Sequence, residues 1–194
     1  ARGTSFLQAH IPSGTVAAVC MPSRAMFHTG RTLFHLQDAG NSIPNDHVLL
    51  GERLQRAGYV AFGTGKWHNG PASYARSFTD GGEVMFGGMA DHWNVPMCDW
   101  DPTGAYDLNQ PYINDPFSSH KVERRRVDHI HFGKHSTDIV VDHTVDFITN
   151  ISGDRPYFTY TSCLAPHDPR SMPKEYLEMY DADAIALPDN FAPV

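Results

Sequence analysis

The apolar positions of this chain fall into a few compact runs, separated by polar stretches rich in Gly, Pro, Asn and Asp. In "PSRAMFHTG", Pro22 stands in a first turn and Gly30 just past an end, which predicts a short helix with Cys20 at its N-terminal mouth. In "HVLLGERLQRAG", Leu50, Leu54 and Ala57 recur at i, i+4 and i+7, with Asp46 as the predicted cap and Gly58 as the stop. The run "YVAFG", residues 59–63, predicts a buried strand, and "TGKWHNG" the loop beyond its C-terminal end. Ser136 or Thr137 caps a predicted helix over "DIVVDHTVDFITN", with Val141, Val145 and Ile148 as its apolar stripe and Asp138, Asp142 and Asp146 on its polar side. "PYFTYTSC", residues 156–163, predicts a second strand that runs into the loop "LAPHDPR". Between these elements, residues 69–135 carry too many turn-forming residues to predict any regular element. So long an irregular stretch is usually functional or an insertion. The order helix, strand, helix, strand predicts an α/β domain with a largely parallel sheet, whose site is built by loops beyond the carboxyl ends of strands.

Composition narrows the picture without changing it. The 194 residues are 41% hydrophobic and 19% charged, a globular balance that supports one sizeable core. No apolar run approaches the roughly 18 residues of a membrane span, and no secretory leader is visible. The chain begins at Ala1 without a methionine and stops in the open loop "LPDNFAPV", so a piece of a longer protein is expected. A formal charge of −7 disfavours a nucleic-acid partner, because phosphate binding needs a basic face. The one basic cluster, "HKVERRRVDHIH" at residues 120–131, reads as a solvated surface segment first and a local anion patch second.

Candidate chemistry starts at the helix mouth. Cys20, Cys98 and Cys163 are odd in number and lack C-x-x-C spacing, so neither a disulfide framework nor a zinc knuckle is indicated. A thiol at a helix N-terminus with Arg24 one turn in has reasons to be acidic, and the same place suits a tetrahedral oxyanion. Cysteine-dependent phosphatases space cysteine and arginine by six residues, and position 26 here is Met. Taken alone, Cys20 reads as a small buried hydrophobe. Lys66 and His68 follow one strand and His167 another, a placement that brings anion-binding and proton-moving groups toward the same mouth. Singly, Lys66 reads as a solvated charge and the histidines as hydrogen-bonded loop or core residues. His129-x-His131 with His135 reads as a surface histidine cluster before a metal site. Asp99 and Asp101 read as turn residues, while His92 and Trp93 suit a sugar pocket and ordinary packing about equally.

Two long motifs carry a resemblance. "CMPSRAMFHTGR" resembles the sulfatase signature Cys-x-Pro-Ser-Arg followed by Thr-Gly-Arg, and "GYVAFGTGKWH" resembles the second signature of that family. "LAPHDP", "ARGTSF" near the start and "GGMADHWNVPMCDWDPTG" extend the likeness over nearly the whole chain. His28 stands where the family has an aliphatic residue and Ala61 where it has Ser or Thr; both look like packing positions.

The resemblance implies an alkaline-phosphatase-like α/β/α sandwich, incomplete at both ends, with residues 1–194 forming part of the N-terminal catalytic domain. It implies a sulfuric ester hydrolase in which the motif cysteine, here Cys20, is oxidised to formylglycine, whose hydrate attacks sulfur. Pro22 and Arg24 match the positions read by the formylglycine-generating enzyme. By the same resemblance Arg24 stabilises the hydrate, His68 hydrogen-bonds it, Lys66 contacts the sulfate, and His167 meets the sulfate or the leaving oxygen. Calcium is the implied cation, with Cys20 once converted its one ligand in this chain and the remaining Asp and Asn ligands expected before Ala1 and beyond Val194. The isolated chain is therefore expected to be inactive. The implied substrate is a sulfate ester, with sulfated polysaccharide favoured and choline sulfate and aryl sulfates open; the implied location is periplasmic or secreted. Alternatives are a phosphonate or phosphate monoester hydrolase of the same superfamily, and a non-catalytic relative that binds anions or sugars.

Overall fold

In the computed structural model, the chain is described at Ser5, Leu7 and Gln8 and over residues 20–36, 40–113 and 120–191. Its centre is a strand buried along nearly its whole length, β1 (Val60–Trp67). Burial on both faces suits the Val-Ala-Phe-Gly run that predicted it, because an inner parallel strand has no polar side to present. β2 (Asp80–Phe86) and β7 (Tyr157–Ser162) flank it, both parallel, in the order β2-β1-β7. Adjacent residues of β1 show what covers each face. Phe62 stacks on Phe147 of α4 (Ser136–Asn150) at 4.2 Å between ring centroids. Gly63 lies against Phe78, at the end of α3 (Pro71–Ser77). Helices therefore close both faces of the parallel sheet, the expected α/β/α layering.

The α3 side holds an aromatic core. Trp67, Tyr74 and Phe78 are buried there, with Tyr160 of β7 packed against them. Trp67 meets Tyr74 and Phe78 edge-on at 5.7 and 5.6 Å, contacts worth roughly 0.5–1.5 kcal/mol each beyond the area they bury. Its indole N–H donates to Gly70 O at 2.9 Å, so the one polar group of the ring is satisfied. A second cluster joins Met85, Val95 and Met97 to Ile139 and Val140 of α4.

β1 and β2 slip register between Thr64 and Gly65. Thr64 faces Gly82 and Gly65 faces Val84, leaving Glu83 as an unpaired bulge residue at φ +45°. Beyond β2, Val84 bridges Cys98, and β3 (Pro96–Met97) pairs antiparallel with β6 (His129–Ile130). β4 (Gln110–Ile113) and β5 (Val122–Arg125) form a separate antiparallel ribbon.

Several expectations are corrected here. Residues 69–135 contain α3 and the sheet strand β2 as well as the small ribbons; their Gly-rich sequence hid a strand that uses Gly81 and Gly82 to fit beside β1. β1 runs to Trp67, so Lys66 lies in the strand rather than in the loop. α1 is described over Cys20–Thr29. α2 spans Leu50–Arg56; its first turn is closed by the Glu52 carboxylate accepting the Leu49 N–H at 2.8 Å, whereas Asp46 binds the neighbouring His47. On α4, Val141, Val145 and Ile148 are exposed, and the covered side is Ile139, Val140 and Phe147. The segment "ARGTSF" lies almost wholly outside the described residues.

Candidate active site

Three elements meet at the carboxyl end of the sheet. α1 brings Cys20 and Arg24, β1 ends in Lys66, Trp67 and then His68, and the chain after β7 brings His167. Cys20 Sγ lies 3.2 Å from His68 Nδ1. The Arg24 guanidinium fixes α1 to both strands: its Nη1 donates to Lys66 O at 2.9 Å, Tyr160 Oη at 2.7 Å and Ser162 Oγ at 2.7 Å. Lys66 is only 2% exposed, and its Nζ donates to Gly88 O at 2.6 Å. An ammonium carries three donors, so this bond leaves Lys66 able to meet a ligand oxygen as well.

Electrostatics follow from crowding cations into a small volume. Burial lowers the pKa of Lys66, Cys20 opposes that shift, and Arg24 adds to it. Burial lowers His68 to about 4, with the charges of Lys66, Arg24 and His167 pushing the same way. His68 is therefore neutral at pH 7 and able to accept a proton at the helix mouth. The other thiols are inert by contrast: burial pushes Cys98 up to about 12 and also raises Cys163.

His167 is held from behind by His92, a residue the sequence offered for a sugar pocket or ordinary packing. Buried His92 contacts His167 O through Nε2 at 2.9 Å and Ser136 Oγ through Nδ1 at 2.9 Å. A carbonyl only accepts, so Nε2 carries a proton there. His92 is thus a buried positioning residue, rather than part of an open sugar pocket. Tyr160 and Ser162, the partners of Arg24, were also missed; their place at the carboxyl end of β7 was the available signal. Asp101 makes the turn expected of it, accepting the Thr103 N–H at 2.8 Å. His135 separates from His129 and His131: it caps α4 and stacks on His92 at 5.3 Å.

A hard cation needs several oxygen ligands. Among the described residues, Cys20 belongs to no group of three His, Cys, Asp or Glu donors. The described residues around Cys20 thus do not make a calcium site by themselves.

Comparison with known proteins identifies the family. The sulfatase family model matches residues 2–190, and this chain belongs to the sulfatase family. Arylsulfatase J of Mus musculus is 28% identical over 179 residues, covering 85% of this chain and 28% of that protein. N-acetylgalactosamine-6-sulfatase of Homo sapiens is 27% identical over 184 residues, covering 82% and 32% respectively. The chain spans about a third of the length of these relatives. Among solved structures, BT4656 in complex with its substrate D-glucosamine-2-N,6-O-disulfate superposes with a TM-score of 0.61 at 20% identity, over 91% of this chain and 31% of that one. That likeness bears out the alkaline-phosphatase-like α/β/α fold. Among the described residues no helix is long and apolar enough to cross a membrane.

Proposed function

We propose that this chain supplies the nucleophile side of a sulfuric ester hydrolase, with Cys20 converted to formylglycine. The carrying observation is the Cys20–His68 contact of 3.2 Å at a helix mouth ringed by Arg24 and Lys66. In formylglycine an oxygen replaces the thiol sulfur on the same Cβ, which sets a hydrated hydroxyl beside a neutral imidazole. His68 takes its proton as the hydroxyl attacks sulfur. Arg24 and Lys66 stabilise negative charge on the sulfuryl oxygens, the kind of fixed charge that works best where water is scarce. His167, held by His92, protonates the departing alkoxide.

The family's calcium fits this reading only with oxygen ligands from outside the described residues, so no step here runs through it. A sulfated carbohydrate is the proposed substrate class; support comes from the amino-sugar sulfatase among the relatives and from the disulfated glucosamine bound by the structural neighbour. A periplasmic or extracellular location belongs to the same reading.

The test is a mass spectrum of the tryptic peptide ending at Arg24, from protein produced beside the formylglycine-generating enzyme. An aldehyde at Cys20 supports the reading. Unmodified thiol, with a control sulfatase converted in the same cells, sinks it. Comparing sulfate with phosphate monoesters on the full-length polypeptide then separates the sulfatase from a phosphomonoesterase of the same fold.

A further inference from the structure

The bulge in β2 gives Glu83 an address that strand alternation denies it. At φ +45° its backbone sits in the left-handed region, uncommon for a residue with a Cβ and strained unless the surroundings hold it there. The carboxylate is thereby brought to the ribbon on the outer edge of β2. There His129, in β6, and His131, just beyond it, both bring their rings to the Glu83 carboxylate, 4.8 Å apart between ring centroids. His129 Nε2 lies 2.9 Å from Glu83 Oε2, and His131 Nε2 lies 2.8 Å from Glu83 Oε1. All three donor atoms fall within 4.8 Å of one another, and this is the one such group of three among the described residues.

We propose that Glu83, His129 and His131 bind a zinc ion, separate from the Cys20 site. Two imidazoles and one carboxylate are a borderline-soft donor set that suits Zn2+ over Ca2+ or Mg2+. Donor atoms about 2.0–2.1 Å from a tetrahedral ion stand roughly 3.3 Å apart; the two histidines now meet different oxygens of Glu83, so an ion would open these contacts and draw the donors, all within 4.8 Å, around one centre. The site is reachable, with the His131 side chain 40% and the His129 side chain 29% exposed, which leaves a fourth position for water. Behind His129, Asp99 Oδ1 stands 3.5 Å from Nδ1, a carboxylate within ion-pair reach of the imidazole face opposite Glu83. Lys134 lies near enough for its charge to feel Glu83, but its ammonium is engaged by Asp142 at 2.7 Å. A bound ion would tie β6 to β2, where the backbone connection is the short Val84–Cys98 bridge and the Met97–His129 pairing.

The experiment uses the full-length polypeptide with Cys20→Ala, so that the active-site thiol cannot bind metal. After chelator stripping, zinc stoichiometry is measured by equilibrium dialysis with elemental analysis, alongside Glu83→Gln and His131→Ala in the same background. We expect each variant to hold about one Zn2+ fewer per chain, and zinc to raise the melting temperature of the parent alone. Cobalt(II) should give the visible absorption of a four-coordinate site in the parent and lose it in the variants. Melting in chelator shows that the variants fold, and His131→Gln substitutes if His131→Ala does not. Equal stoichiometry in all proteins, or a parent that binds no zinc at this site, overturns the proposal. None of these readouts uses ester hydrolysis, so the result stands apart from the fate of the sulfatase reading.

Discussion

His28 shows how one side chain can carry a pH dependence. It is buried between Trp67 and Tyr160, each ring centroid 4.5 Å away, and its Nε2 has no hydrogen-bond partner among the described residues. Burial, with help from Arg24, lowers its pKa to about 3. A histidine with a depressed folded pKa binds a proton more readily when unfolded, so its contribution is intact above about pH 6.5 and is lost as pH falls toward the folded value. His68, lowered to about 4, adds in the same direction. Denaturant melts of the full-length polypeptide should therefore lose stability steadily from pH 6.5 to pH 4. His28→Leu should stay within about 1 kcal/mol of the parent at pH 7 and show a shallower acid decline. An unchanged acid slope in that variant would rule out His28 as its source. At His92 the expected outcome is catalytic: His92→Ala lowers kcat/KM for a sulfate ester roughly tenfold to a hundredfold by freeing the His167 backbone. His92→Gln, which can still donate to a carbonyl, should recover part of that loss; a Gln variant as slow as Ala would mean His92 only fills space.

Among the elements, what could be read in advance followed the strength of each local signal. The mouth of α1 was legible because Pro22 and Gly30 bracket it, and Gly30 takes φ +66° just past the last turn. The strand β2 was not legible, because "DGGEVMF" has no alternation and its glycines answer long-range needs, Gly81 to lie against Gly63 of β1 and Tyr74, and Gly82 to lie beside His143 of α4. On α4, Val141, Val145 and Ile148 match helical spacing as well as the true contact side does, and only tertiary packing decides between the two stripes. Convergence of Lys66, His68 and His167 followed from their placement at strand ends, but the Arg24 contacts to Tyr160 and Ser162 depend on strand order, which no local pattern carries. Gly65 tests that order. It adopts φ +85°, and an added Cβ would run into the Ser162 carbonyl of β7. Gly65→Ala should cost about 1–3 kcal/mol or more, read as a lower denaturation midpoint. A neutral result would mean that β1 and β7 are not packed as described.

For the whole molecule the exposed surfaces matter most. Among the described residues β7 pairs on one side only, with β1, and Tyr157 is 43% exposed. Val141, Val145 and Ile148 add an apolar strip on α4. Free strand edges and apolar strips of this kind invite association. Produced as these 194 residues alone, the chain should aggregate or bind a hydrophobic dye strongly; a monomer with one sharp cooperative melt would refute this. The Arg24 contacts also impose a chronology. Its partners Tyr160 and Ser162 lie 136 and 138 residues further along, so the helix mouth is clamped only after that distant stretch has been made and docked. An enzyme that reads Cys20, Pro22 and Arg24 as an extended strip has until then to work. If Cys20 is matured as proposed, that maturation is a race against the closing of the sheet, with Arg24 as the latch that ends it.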